Sequence, residues 1–205
     1  AAGFPATVTP ILQYGLVPVY VDVTLPTYNI DIAMLEKAIG PQTKCIFLAH
    51  TLGNPFDVDA VMALSEKHNL WVIEDACEAI GAEYKERKAG TLGDVAVFAF
   101  YPNKQMTTGE GGVIVTDRED WDALFRSLRN QGRDASDAWL HHARLGYNYR
   151  LDELSAALGL AQLERIQDLL AQREQVAKWY DERLAELELV ERPTLLPTTT
   201  RMSWF

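Results

Sequence analysis

Cysteine is scarce: Cys45 and Cys77 are the two in 205 residues, each set in an apolar stretch. That excludes a disulfide framework of the kind that staples small secreted domains. Reduced thiols packed among apolar neighbours are the plain reading, and a cytoplasmic setting follows from it. Long apolar runs are missing as well. Nothing approaches the roughly 18 consecutive apolar residues of a membrane-spanning helix. The opening Ala1-Ala2-Gly3-Phe4-Pro5 lacks the basic and long apolar stretches of a signal peptide. Basic charge is in deficit, with 19 Lys and Arg against 29 Asp and Glu and a net charge of -10. Nucleic acid needs clustered cations, so it is not an expected partner. An anionic small molecule is still possible, because a few backbone N–H groups and one or two cations can hold it. Histidine is equally sparse, at four residues. His141 and His142 are adjacent, beside Trp139 and Leu140. They lack the spacing and further partners of a metal site, so no metal is expected.

What is present is ordinary for a globular chain, 48% hydrophobic and 23% charged, of a length for one large domain or one domain and part of another. Strand-like and helix-like segments alternate. Val17–Val23 predicts a strand, and Ile32–Ile39 a short helix with Asp31 as N-cap. Lys44–His50 predicts an apolar strand. Asp57–His68 has helical spacing in Val58, Val61, Met62 and Leu64, and Asn69 ends it. Leu70–Ile73 predicts a strand ending at Glu74-Asp75. Val95–Phe100 and Gly112–Thr116 complete the set. Near-continuous apolar strands separated by helices make an α/β fold, with a largely parallel sheet covered on both faces. The strands after Tyr84 lack a long helix between them, so an antiparallel portion is expected there. From Asp120 the pattern turns helical. Leu151 to about Leu187 is one long helical stretch with an interruption. Pro193, Pro197 and Thr198-Thr199-Thr200 then read as a linker. The abrupt start and the apolar end at Ser203-Trp204-Phe205 suggest the central piece of a longer protein.

Two constellations carry chemistry. Glu74-Asp75-Ala76-Cys77-Glu78 closes a buried strand, where ligands of open α/β sheets bind; Asp75 there serves either a ligand or a helix N-cap. Phe100-Tyr101-Pro102-Asn103-Lys104 follows another apolar strand and precedes the glycine-rich Thr107-Thr108-Gly109-Glu110-Gly111-Gly112. An isolated lysine of this kind is ordinarily a solvated surface residue. Paired with Asp75 it has a second reading. Pyridoxal phosphate needs a lysine amine for its Schiff base and a carboxylate on its ring nitrogen, and these two residues follow consecutive apolar strands.

With these stretches, together with Tyr28-Asn29-Ile30-Asp31, Lys88–Asp94 and Leu145-Gly146-Tyr147-Asn148-Tyr149-Arg150, the chain resembles the DegT/StrS group of fold-type-I aminotransferases, which make amino sugars on nucleotide carriers. The order of the motifs, across nearly the whole chain, is what makes the resemblance specific. It implies pyridoxal phosphate as cofactor, an amino donor such as glutamate and a nucleotide-linked keto sugar as acceptor. Lys104 is the implied Schiff-base lysine and proton carrier. Asp75 is the implied partner of the pyridinium nitrogen. Phe4 stacks on the cofactor or is a core residue. Asn148 reaches the phosphate from a neighbouring subunit, which implies a homodimer, or it is a turn residue. Residues 1–150 correspond to a cofactor-binding large domain without its N-terminal part. Residues 151–205 correspond to a long helix and the start of a truncated small domain.

Two positions depart from the group. Ala99 stands where a phosphate-binding serine is usual. Glu78 stands where a glutamine or histidine commonly meets the ring hydroxyl. A further stretch, Ala49–Asp57, resembles the related 3-dehydrase branch, which uses a histidine where this chain has Lys104. A histidine cannot form an imine, so Lys104 favours the aminotransferase, and His50 reads as structural. A non-catalytic or truncated relative is the other alternative.

Overall fold

The computed structural model describes residues 3–134 and 141–205. A four-stranded sheet organises the first part of the chain, built from β1 (Cys45–Ala49), β2 (Trp71–Asp75), β5 (Val95–Ala99) and β6 (Gly112–Val115) in the order β1-β2-β5-β6. The first three strands are parallel and β6 is antiparallel. Parallel neighbours need a crossover, and α3 (Val58–His68) supplies the one between β1 and β2. Asp57 caps α3 by accepting the Ala60 N–H, and Asn69 closes it in the left-handed conformation that asparagine tolerates. The buried Val58, Val61 and Leu64 of α3 lie at helical spacing and pack with Ile46 and Val72 of the sheet. Leu35 of α2 (Ile32–Ala38) joins the same core, and Asp31 caps α2 through the Met34 N–H.

Strand register decides which ends meet. Ala49 pairs with Asp75, and Asp75 with Val97, so β1, β2 and β5 all finish on one edge. Successive side chains of a strand point to opposite faces. Glu74 and Asp75 therefore face apart: Glu74 meets His50 and the 90–93 loop, and Asp75 meets Thr7 of the N-terminal helix. The loop that follows β5 returns through β6 with Ala99 opposite Gly112.

Three elements differ from expectation. Residues 17–23 form no strand, and only Val23 bridges to Ile30. Pro18 has no N–H to donate, and Val17, Val19 and Tyr20 are exposed on no sheet. The short hairpin of β3 (Glu83–Tyr84) and β4 (Arg87–Lys88) was not legible. Its turn holds Lys85 and Glu86 at φ 48 and 64, a conformation usually announced by Asn-Gly. The stretch expected as a linker contains β7 (Thr199–Arg201), which pairs with β3.

The helical part is α4 (Glu119–Arg129), α5 (Glu153–Glu164) and α6 (Ile166–Leu184), with the expected interruption at Arg165. Leu170 is the buried residue of α6. Gly81 has no side chain there, and a Cβ on it would stand 2.4 Å from Leu170 Cδ1. No described helix is long and apolar enough to cross a membrane.

Candidate active site

The edge where β2 and β5 end gathers the charged groups. Asp75 is 9% exposed. Its Oδ2 accepts the Thr7 hydroxyl at 2.6 Å and its Oδ1 accepts the Cys77 N–H at 3.1 Å. Turns, not a helix, follow β2, so Asp75 caps no helix. Thr7 lies one turn into α1 (Pro5–Gln13), and its bond ties that helix to the end of the sheet.

Lys104 sits in the turn after β5, with its N–H bonded to the Tyr101 carbonyl at 3.0 Å. Its side chain is 15% exposed, and Nζ lies 3.6 Å from Glu78 Oε1. The Phe205 ring covers the amine, 4.1 Å from Nζ to ring centre, a cation–π distance. Glu78 is held from three sides. Its Oε2 accepts the Leu52 N–H at 2.9 Å, and its carbonyl accepts Gln105 Nε2 at 2.5 Å. Cys77 records how close these groups are. Its thiol is pushed up to about 12 by burial first and by the Asp75 carboxylate next, with Lys104 acting in the opposite direction and Glu78 adding to the rise. The cysteines are unpaired, as expected, and burial likewise pushes Cys45 to about 11.

The other face of β2 is structural. Glu74 is fully buried. Its Oε1 accepts the Leu92 and Gly93 N–H groups, both at 2.7 Å, and its Oε2 accepts the Gly90 N–H and His50 Nε2, both at 2.8 Å. Burial alone would push this carboxyl up. The hydrogen bonds from His50, Gly93 and Gly90 outweigh it and hold Glu74 below the usual carboxylate value. His50 accepts the Phe56 N–H at Nδ1, which leaves the Nε2 proton for Glu74. It also stacks on Phe56 at 4.3 Å. His50 is thus structural, as its sequence context implied.

The remaining expected residues fall differently. Phe4 is 73% exposed at the N-cap of α1, one turn before Thr7, so the core reading of Phe4 is wrong. Asn148 bridges Asn130 in antiparallel fashion and is no turn residue. Within this chain its contact is with Asn130 at the end of α4. Ala99 brings no hydroxyl, and the nearby Thr107 and Thr108 hydroxyls donate to the Phe100 and Glu110 carbonyls. The His142 ring bonds the Gln131 carbonyl at 2.8 Å; Trp139 and Leu140 lie outside the described residues.

Sequence reasoning missed Thr7, Gln105 and Arg173. The guanidinium of Arg173, on α6, donates to the carbonyls of Asn103 (3.0 Å), Lys104 (2.9 Å) and Trp204 (3.3 Å). In the sequence it reads as one more charge on a solvated helix face. Ser203 ties the tail to the same edge through its N–H to Gly53 O and its hydroxyl to Ile80 O.

The geometry is therefore an amine and a carboxylate on adjoining strand ends, screened from water and fed by ordered loops. That donor set fits pyridoxal phosphate, which needs those two groups at opposite sides of one ring.

Known proteins carry the same arrangement of chain. GDP-perosamine synthase of Caulobacter vibrioides is 44% identical over 200 residues, covering 97% of this chain and 54% of that protein. The lipopolysaccharide biosynthesis protein RfbH of Salmonella typhimurium is 40% identical over 197 residues, covering 84% and 45%. The chain thus spans about half the length of these relatives. The crystal structure of DesV from S. venezuelae, in complex with a ketimine intermediate, superposes with a TM-score of 0.91 at 34% identity, covering 98% of this chain and 54% of that one. The α/β fold, with its mostly parallel sheet, is that of the sugar aminotransferases. A family model matches residues 1–205 from end to end, and the chain belongs to the DegT/DnrJ/EryC1/StrS aminotransferase family.

Proposed function

We propose that this chain is the cofactor-holding core of an enzyme that moves an amino group, from a donor such as glutamate, to a keto sugar on a nucleotide carrier. Residues 1–150 form the cofactor-binding large domain in this reading, and residues 151–205 lead from it through the long helices into a smaller one. The enzyme works in the cytoplasm, where its two thiols stay reduced.

The observation that carries the reading is that Asp75 and Lys104 lie at the ends of the paired strands β2 and β5, with Glu78 at 3.6 Å from the lysine amine. Pyridoxal phosphate, when bound, supplies an electron sink that lets a proton leave the carbon bearing the amino group. Lys104 would hold it through Nζ, and the same amine would take up and return the proton as a general base and then a general acid. Asp75, whose carboxylate oxygens accept the Thr7 hydroxyl and the Cys77 N–H, would pair with the ring nitrogen. Glu78 would face the ring hydroxyl. Phe4, exposed beside the α1 end that carries Thr7, is free to cover the ring. Phe205 excludes water from the amine.

A second copy of the chain supplies Asn148 to the phosphate. The segment around it supports this. Leu145, Tyr149 and Leu154, close in sequence to Asn148, are 86%, 71% and 85% exposed, and large apolar side chains left bare in one stretch are suited to an interface. The 3-dehydrase reading is set aside because Lys104 keeps an amine at the place where that branch has a histidine. A non-catalytic relative has no use for the pair.

The test is the visible spectrum of the purified protein with pyridoxal phosphate, beside Lys104→Ala. A yellow band in the parent that is missing from Lys104→Ala, and that bleaches on adding glutamate, is the expected result. A band that persists in Lys104→Ala, or no band in the parent, sinks the assignment. Asp75→Asn is expected to keep the band and to bleach slower by on the order of 10²–10³, the usual effect of removing one group that stabilises developing charge.

A further inference from the structure

Arginine 173 is an anomaly of charge. It is half-buried, and burial pulls its guanidinium below the ordinary arginine value. Yet among the described residues no carboxylate pairs with it, and its partners are three neutral carbonyls. A guanidinium taken out of water without a counter-ion is retained for geometry, because its planar fork fixes several acceptors at once.

The carbonyls it holds are not arbitrary. Two belong to Asn103 and Lys104, so they define the backbone from which the Lys104 side chain springs. The third belongs to Trp204, and the next residue, Phe205, lays its ring 4.1 Å from Lys104 Nζ. One side chain thereby sets both the root of the lysine and the wall above its amine. The helix delivers it there by spacing. Leu170 and Arg173 are three residues apart on α6 and share a face. Leu170 is buried where Gly81 leaves room, which seats the helix against the turn after β2 and carries Arg173 to the turn after β5.

We infer that Arg173 is a positioning residue for Lys104, holding the lysine loop and the Trp204-Phe205 tail in the arrangement that presents the amine. The inference rests on the reading of Lys104 given above. It assigns Arg173 no contact with cofactor or substrate.

Two readouts test it. In the first, pyridoxal phosphate is mixed with the protein and the rate of growth of its visible band, and the pH midpoint of that band, are followed. Arg173→Gln is expected to slow covalent capture by about 10- to 100-fold, the scale of an ångström-sized misplacement of a reacting group, and to move the pH midpoint. Arg173→Lys, a single point donor that cannot span three carbonyls, is expected to recover little of it. Arg201→Gln, whose side chain meets Gln167 at 3.5 Å on the outside of α6, is expected to behave as the parent. In the second readout no cofactor is added. Labelling of Lys104 by trinitrobenzenesulfonate, followed by mass spectrometry, is expected to quicken in Arg173→Gln as the loop and the Phe205 cover loosen. Parent-like capture and labelling in Arg173→Gln overturn the inference. Should that variant not fold, parent-like values in Arg173→Lys overturn it instead. No capture in the parent itself overturns the reading of Lys104, and this assignment with it.

Discussion

Glu78 holds Lys104 Nζ at 3.6 Å with one carboxylate oxygen and the Leu52 N–H at 2.9 Å with the other. One of the two residues that depart from the expected pattern thus lies within ion-pair reach of Lys104. A carboxylate paired with the amine must release it before Nζ can reach an aldehyde. Glu78→Gln is therefore expected to capture pyridoxal phosphate faster at neutral pH. Partly exposed ion pairs contribute up to about 1 kcal/mol, which is roughly fivefold in rate. Stopped-flow absorbance measures it. A slower variant would mean that Glu78 helps to hold the cofactor more than it restrains the lysine.

Glu74 is expected to govern acid stability. Its folded carboxyl lies below the ordinary value of 4.5. A depressed carboxylate contributes stability above its unfolded value, and that contribution is lost as pH falls through the folded one. Glu74→Gln turns an amide NH2 toward the N–H donors of Gly90, Leu92 or Gly93, which leaves a buried donor unsatisfied. The expected loss at pH 7 is about 1–3 kcal/mol. The gap between parent and variant should narrow below pH 4.5, by urea unfolding across pH. A gap that stays constant with pH would rule out an ionised Glu74.

Both thiols are expected to be inert. With Cys77 at about 12 and Cys45 at about 11, their thiolate fractions at pH 8 are roughly one in 10⁴ and one in 10³. Alkylation by iodoacetamide should be slow at pH 8 and rise about tenfold per pH unit until the protein unfolds. Rapid modification of Cys77 at pH 8 would contradict the burial that its surroundings imply.

Gly53 is expected to tolerate no side chain. Its φ is +79, and a Cβ would stand 1.6 Å from the Ser203 carbonyl oxygen. Gly53→Ala must break the Ser203 N–H bond to the Gly53 carbonyl and push the tail away. Overpacking of this kind costs about 1–3 kcal/mol, and the left-handed backbone adds to it. Since the same tail carries Phe205, Lys104 should also become more reactive to trinitrobenzenesulfonate. Unchanged thermal stability would mean that the tail is not docked as described.

The sequence by itself determined the elements with local causes. Apolar, β-branched runs made β1, β2, β5 and β6, because such side chains suit a pleated strand; that both faces are covered holds for the middle of the sheet and not for β6, whose residues are largely exposed in this chain. Asp31, Asp57 and Asn69 marked helix ends because capping is an exchange between neighbours in the chain. The placing of Asp75, Glu78 and Lys104 at the sheet edge was legible for a related reason: Asp75 ends β2, and Glu78 and Lys104 lie in the turns that follow β2 and β5, so local order set where they sit. Only the tertiary structure decided what depends on groups far apart in sequence. It left residues 17–23 without a sheet partner, and it paired β7 with β3 across more than a hundred residues. It aimed Thr7 at Asp75 and Arg173 at the carbonyl of Lys104, 68 and 69 positions away. Hydrogen bonds across such separations leave no periodic or capping pattern, because neither partner's neighbours in the chain take part.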